Sequence, residues 1–425
     1  MNFLTRLIKH ELITGTFLVF VGSMFGNIMA FLLNLFLARN LTYSDYGIYA
    51  SLISIITLVT IPTASIGTVI VRFSSNYYTN KKSSELNAFY RKMFQYLMIF
   101  SLSVLGILTL FSPFINGFLH LNNLYYIYLT GISVFIFYIQ SFNTSFIQGL
   151  MRFGYISIIS AVGGFSKLIF GVLLVLLGFR VFGALWGWIL MGVVVILLSL
   201  YPLKSIIIGK FDKSVKISSK EILEYALPAF ISVLFMASFT STDILLVKHF
   251  FSPDEAGLYG GLSLVGRVIF YFTLPIPSVM FPLLIKRHNL GKSFNKLFYL
   301  SLLLVFLPSV FITILYFIAP EFFIKIFLGG GAYFSLTYYI GYFGIFLTVY
   351  SLLNVCVSFF LSLNKKKIAP LIVLGSVLQI ILIYLFHNNF YEIIVISTSI
   401  SFILFVVLII YFFHLYSGFK NPVID

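Results

Sequence analysis

Three ionisable side chains stand well inside long apolar runs: Lys167, Asp243 and Arg267. A lipid-facing charge there costs about 2.5–3.5 kcal/mol or more, so each should face protein or a wetted cavity. The Arg267 guanidinium suits a phosphate through its planar fork, whereas the Lys167 ammonium acts as a point charge. Two bases lining one cavity would hold an anionic head group. A different arrangement pairs Arg267 with Asp243 across adjacent helices and leaves Lys167 snorkelling to a carbonyl. Asp243 is then either a structural charge partner or a carboxylate that couples a proton or sodium ion. Two deep bases against one deep acid favour an anionic cargo over an organic cation.

The runs that hold these residues define the class. Of 425 residues, 60% are hydrophobic and 9% charged, against about 25% charged in a soluble domain. So few charges cannot coat a soluble surface, and the chain is read as an integral membrane protein. A lone Cys356 excludes an internal disulfide framework, and the six histidines show no ligand spacing. No Walker loop, H-E-x-x-H pair or aspartate-rich metal motif occurs, and no loop is large enough to house an active site. The sequence therefore predicts no enzyme, no metal and no cofactor. The +15 net charge lies between the apolar runs, where positive-inside topology places it, so no nucleic-acid partner is expected. The first apolar run has full membrane length and no A-x-A site, which predicts no cleaved signal.

Roughly 20 apolar residues cross a bilayer. Twelve spans are predicted, at 13–38, 46–71, 93–113, 124–147, 153–178, 181–203, 223–248, 256–282, 297–319, 334–362, 368–386 and 392–414. Continuous apolarity without period-2 alternation selects helices over barrel strands. Of the 27 Lys and Arg, only Arg39, Arg180, Lys248 and Lys325 fall in odd-numbered loops, apart from the two bases inside spans. Both termini are accordingly expected in the cytoplasm. Ser218 and Glu221 form a capping box that starts span 7, and residues 1–10 suit either a surface helix on an anionic leaflet or a frayed tail.

An internal repeat organises these spans. Residues 35–52 read LFLARNLTYSDYGIYASL, and residues 245–262 read LLVKHFFSPDEAGLYGGL. Gly47 aligns with Gly257, Tyr49 with Tyr259, Asp45 with Glu255 and Thr42 with Ser252. Each block joins the first two spans of one half. The halves are expected to be six-helix lobes, 1–205 and 206–425, in parallel orientation about an axis along the membrane normal. Such lobes bind substrate between them and expose it to alternate sides by rocking. Pro62 in span 2, Pro275, Pro277 and Pro282 in span 8 and Pro308 in span 9 are candidate bends, with Pro62, Pro275 and Pro277 the candidates for gating.

Other features carry less. Gly22-x-x-x-Gly26 and Gly183-x-x-x-Gly187 permit close helix approach. Arg39 and Arg72 read as interfacial anchors. Tyr125, Tyr126, Tyr128, Tyr338 and Tyr339 fit an aromatic belt better than a sugar-stacking surface. The sequons at Asn40 and Asn143 lie against or within the membrane and are read as coincidence. Gly329-Gly330-Gly331 is read as an outer turn rather than an anion nest.

Short motifs along almost the whole chain resemble one known group. They are Leu37-Ala38-Arg39, Asp45-Tyr46-Gly47-Ile48-Tyr49, Arg72-Phe73-Ser74, Ile147-Gln148-Gly149 and Arg152-Phe153 in the first half. The second half supplies Tyr225-Ala226-Leu227-Pro228, Asp243, Ala256-Gly257-Leu258-Tyr259, Phe281-Pro282, Phe327-Leu328-Gly329 and Tyr333. Together they resemble the polysaccharide-export (Wzx-type O-antigen) flippases of the multidrug/oligosaccharidyl-lipid/polysaccharide flippase superfamily. The resemblance implies an all-α, V-shaped, MATE-like bundle of about twelve transmembrane helices. It also implies flipping of a polyprenyl-diphosphate-linked oligosaccharide across a prokaryotic plasma (inner) membrane, with the head group in a cationic cavity and the tail in lipid. Lys167 and Arg267 are the cations this chain offers, and Asp243 matches the family's helix-7 aspartate in position. Expected partners are the glycolipid, membrane lipids, H+ or Na+, and a glycan polymerase or other pathway protein. The competing reading within the architecture is an ion-coupled multidrug or metabolite antiporter, and outside it a scaffold of a glycan-assembly complex.

Overall fold

A computed structural model describes residues 11–209, 230–289, 295–363, 365 and 368–416. Among them every regular element is helical. In chain order these are α1 (Glu11–Asn40), α2 (Tyr43–Thr60), α3 (Pro62–Thr79), α4 (Ser83–Leu110), α5 (Ser112–Phe118), α6 (Tyr125–Gly149), α7 (Phe153–Leu174) and α8 (Arg180–Ile208). They continue with α9 (230–238), α10 (Thr242–Phe250), α11 (Pro253–Thr273), α12 (Pro275–Asn289), α13 (Asn295–Ile318), α14 (Pro320–Leu328), α15 (Thr337–Ser362), α16 (Ala369–Leu385) and α17 (Phe390–Tyr416).

Ten helical runs are long and apolar enough to cross a membrane, and Ala369–Leu385 adds a shorter one. One of the ten, Phe153–Ile208, is a hairpin. Gly178 turns it with φ 91°, and Gly183 and Gly187 of α8 then face Leu174 and Gly171 of α7. The chain is thus a multi-pass membrane protein whose described passes follow all twelve predicted spans. A bilayer enforces such helices because only an intrahelical ladder satisfies every backbone group in hydrocarbon. Residues 1–10, the capping box at Ser218 and Glu221, the motif Tyr225–Pro228, Lys366 and Lys367 lie outside the described residues.

Three spans are broken where the sequence changes character. The ladder of span 2 lapses at Ile61, and Pro62 restarts it as the first residue of α3. Span 8 lapses at Leu274, and Pro275 restarts it as α12. Proline is tolerated at a helix's first turn because the missing N–H would have no partner there. Pro277 is buried in the following turn, and Pro308 stays inside α13. The third break, at 239–241 between α9 and α10, has no proline.

By their contacts the described residues divide into two units, one drawn from Met1–Leu41 with Leu52–Phe230 and the other from Thr42–Ser51 with Ile231–Asp425. The core of unit 1 is aromatic: Phe89, Tyr90, Phe142 and Phe146 pack with ring centroids 4.9–5.6 Å apart. Asn143 lies beneath them, 2% exposed, accepting from Tyr90 Oη at 3.2 Å and donating to Ser199 Oγ at 2.7 Å. That burial leaves its sequon without a glycosylation role. Small residues join α1 to α7, where a Cβ on Gly26 would meet the Ser160 carbonyl at 2.6 Å. The core of unit 2 centres on Phe298, whose ring lies 4.3 Å from Phe359 and 4.5 Å from Phe412.

The duplication read from one motif extends through the whole architecture. Helices α2 to α8 recur as α11 to α17 about 210 residues later, including the short α5 and α14. Pro62 and Pro275 occupy the same place in the two copies, each restarting a broken helix. Within unit 2 the aligned glycines meet: a Cβ on Gly47 would lie 2.7 Å from the Gly257 nitrogen. Tyr43 fastens the same segment, its hydroxyl accepting from the Ala332 N–H at 3.0 Å and its ring standing edge-on to Tyr333 at 4.9 Å.

Candidate substrate and coupling residues

The break in span 7 falls within Ser238-Phe239-Thr240-Ser241-Thr242-Asp243, a polar stretch inside an apolar run. Hydroxyl side chains compete for backbone hydrogen bonds and weaken a helix interior. The interruption leaves carbonyls without intrahelical donors, and such groups must find partners elsewhere. Long side chains from three other helices supply them. Tyr350 of α15 donates to the Met236 carbonyl at 3.0 Å, and Gln379 of α16 donates to the Phe239 carbonyl at 3.1 Å. Arg267 of α11 donates from Nη2 to the Thr240 carbonyl.

Asp243 sits in the first turn of α10, where the helix dipole favours a carboxylate. It is 1% exposed. Its Oδ1 accepts from the Ile244 N–H at 2.8 Å and its Oδ2 from the Tyr259 hydroxyl at 2.9 Å. Arg267 is close enough to act on it electrostatically, yet no nitrogen–oxygen approach within 4.0 Å joins the two. In place of a direct ion pair, one of the two arrangements left open by the sequence, Asp243 has a tyrosine–carboxylate hydrogen bond and Arg267 an arginine–carbonyl clamp. The Arg267 Nε is buried and has no hydrogen-bond acceptor.

Lys167 belongs to unit 1 and is 6% exposed. Its Nζ rests 3.5 Å from the ring centroid of Trp188 on α8. Among the described residues it has no carboxylate partner, and its neighbour is an indole face rather than the carbonyl expected for a snorkelling lysine. Lys167 thus lies in one unit, and Arg267 and Asp243 lie together in the other.

Sequence reasoning missed Tyr259 and Trp188 as partners of these charges, and Tyr350 and Gln379 as donors to the carbonyls at the break. Tyr259 was marked by the repeat, and the hydroxyl-rich hexad was a legible sign of the break. No sequence signal distinguished Trp188 from the other aromatics. Lys248, read as an outer-loop residue, is 2% exposed on α10. The Gly329–Gly331 turn has φ of 85°, 90° and 67°, which only glycine adopts readily. Tyr338 packs on Tyr339 and Tyr342 at 5.2 and 5.4 Å, and Tyr125 on Tyr128 at 5.9 Å. Among the described residues no group of three His, Cys, Asp or Glu could hold a metal ion.

Comparison with known proteins places this arrangement. Residues 36–331 match the family model described as polysaccharide biosynthesis protein. An uncharacterized membrane protein, MJ1375, of Methanocaldococcus jannaschii is 27% identical over 289 residues, which cover 64% of this chain and 68% of the relative. Among solved structures, the inward-facing conformation of a multidrug resistance MATE family transporter of the MOP superfamily matches with a TM-score of 0.74. Its identity is 12%, over 92% of this chain and 96% of the other. The lipid II flippase MurJ in an inward closed conformation matches with a TM-score of 0.66 and 18% identity, over 94% of this chain and 87% of the other. These likenesses show a shared MATE-like, all-helical membrane fold. With the family match running from α1 to the glycine turn after α14, the chain belongs to the polysaccharide biosynthesis protein family.

Proposed function

We propose that the chain is a flippase for a polyprenyl-diphosphate-linked oligosaccharide, the repeat unit of O-antigen, capsule or another surface polysaccharide. It moves this glycolipid across a prokaryotic plasma membrane by alternating access, with both termini in the cytoplasm. Arg267 and Lys167 meet the diphosphate head group. Asp243 serves coupling to H+ or Na+ or acts as the charge partner of Arg267, and the breaks at Pro62 and Pro275, with Pro277, provide the bends for gating.

The observation that carries the reading is the state of the two deep bases. Among the described residues, Lys167 rests on an indole face, and Arg267 keeps a buried Nε without an acceptor. A buried donor left unmet is costly, so a membrane protein that keeps two such cations has a use for them. A phosphate supplies what either base lacks, and the attached oligosaccharide crosses hydrocarbon poorly because its hydroxyls and charges lose water without replacement. Membership of a polysaccharide family supports the glycan, and likeness in fold to a lipid II flippase supports the lipid carrier. The chain flips its cargo without chemistry of its own, and lipids, an ion gradient and a downstream polymerase complete its set of partners.

The test is translocation in proteoliposomes. A fluorescent polyprenyl-diphosphate oligosaccharide is incorporated, and its outward exposure is followed with an impermeant quencher. Wild type exposes it faster than empty vesicles, and Arg267→Ala and Lys167→Ala slow the exposure at equal protein levels. Folded protein that matches empty vesicles under both proton and sodium gradients, but expels organic cations, is instead the ion-coupled antiporter.

A further inference from the structure

Unit 1 holds a second polar group that its own residues leave unmet. Gln140 of α6 is 8% exposed, and its Oε1 is buried with no hydrogen-bond donor. Native proteins leave few such acceptors, and each calls for an explanation. A Cβ on Gly192 of α8 would lie 3.4 Å from this oxygen. Gly192 is one helical turn beyond Trp188, so both belong to the same face of α8. Lys167 reaches that face from α7. Its carbonyl would lie 3.5 Å from a Cβ on Gly187, the residue before Trp188. Among the described residues, the turn 187–192 therefore gathers an ammonium without a counter-anion, an indole face and an amide oxygen without a donor.

We propose that Lys167, Trp188 and Gln140 form a subsite for the phosphorylated sugar end of the cargo, with Trp188 as the positioning residue for Lys167. The proposal rests on the flippase reading and adds to it which part of the cargo unit 1 meets. In the substrate-free state the indole holds the ammonium by a cation–π contact, which keeps the lysine from snorkelling towards the interface. A cation–π contact is weaker than a charge-assisted hydrogen bond to phosphate. An arriving phosphate oxygen therefore draws Lys167 off the ring. The exposed indole then offers an apolar face to the C–H side of a sugar, and a sugar hydroxyl donates to Gln140 Oε1. A sugar-free polyprenyl diphosphate engages the lysine and leaves the other two groups unmet. Discrimination between bare and glycosylated carriers follows from that difference, because a buried acceptor left unpaired weakens binding.

The chain has two tryptophans, and Trp186 is 42% exposed on the other side of the helix. A Trp186→Phe protein in nanodiscs therefore reports Trp188 alone. It is titrated with a short-chain polyprenyl-diphosphate disaccharide and with the same carrier lacking sugar. Both probes change the emission, the disaccharide binds about tenfold tighter, and Gln140→Leu removes that difference. Lys167→Gln abolishes both responses. In proteoliposomes Trp188→Leu raises KM about tenfold, while Trp188→Phe, which keeps a π face, restores most of it; a merely structural role would lower the melting temperature and leave KM unmoved. Silent Trp188 emission in protein that translocates the glycolipid overturns the subsite and leaves the flippase reading standing. Emission changes with the pattern above, in protein that does not translocate, overturn the flippase reading and keep the subsite. Responses that persist in Lys167→Gln also overturn the subsite.

Discussion

Arg267 does two things that separate by substitution. It donates to the Thr240 carbonyl at the break in span 7, and it keeps a charged, partly unmet guanidinium deep in unit 2. Arg267→Ala removes both, leaving a freed carbonyl that costs about 1–3 kcal/mol when unsatisfied. It is expected to melt at lower temperature and to translocate slowly. Arg267→Lys keeps a charge and a donor but loses the planar fork, so its melting temperature stays near wild type while its rate falls about tenfold. Equal loss of rate and stability in both variants would make the arginine purely structural. Tyr259→Phe probes the neighbouring contact by deleting the hydroxyl that donates to the 1% exposed Asp243. It is expected to destabilise unit 2 by about 1–3 kcal/mol, read as a lower melting temperature in detergent. The charges themselves were legible in the sequence because a bilayer makes a buried ion rare. Their partners were not, since one tyrosine among 27 carries no mark of which carboxylate it meets.

Elements were legible where solvent dictates them and obscure where only packing does. The twelve spans follow from hydrocarbon thickness, which leaves little choice of period or length. The short helices α5 and α14 escaped notice because seven or nine residues cannot cross a membrane and need no apolar run. The hinge-like break at 239–241 escaped too, since proline was the expected signal and hydroxyls supplied it instead. Glycines show the same division. A Cβ on Gly106 of α4 would meet nothing within 4 Å, whereas one on Gly187 would lie 2.9 Å from the Gly171 Cα. Gly106→Ala should therefore stabilise α4 by about 0.5–1 kcal/mol, because glycine is the more flexible residue in the unfolded chain. Gly187→Leu should split the α7–α8 hairpin and cost about 1–3 kcal/mol through overpacking. Differential scanning fluorimetry of the two variants reads opposite signs, and a shared sign would contradict the close approach of α7 and α8.

At the scale of the molecule, the number of passes between two loops decides whether they share a side. Lys82 follows the second predicted span and Lys365 the tenth, an even number of passes apart, so both belong on one side. Asn122 precedes α6 and Asn388 precedes α17, which places both on the opposite side. The charge asymmetry of the loops predicts the cytoplasm as the side of the lysines. The native Cys356 is fully buried, so the chain carries no accessible thiol of its own. Single cysteines at Asn122 and Asn388 should then react with an impermeant maleimide in intact cells. Cysteines at Lys82 and Lys365 should react only after the membrane is opened. A protein with one span fewer between α6 and α16 would place Asn122 and Asn388 on different sides, and labelling of one without the other would break the repeat. Labelling of the lysine positions alone in intact cells would preserve the repeat but invert the protein.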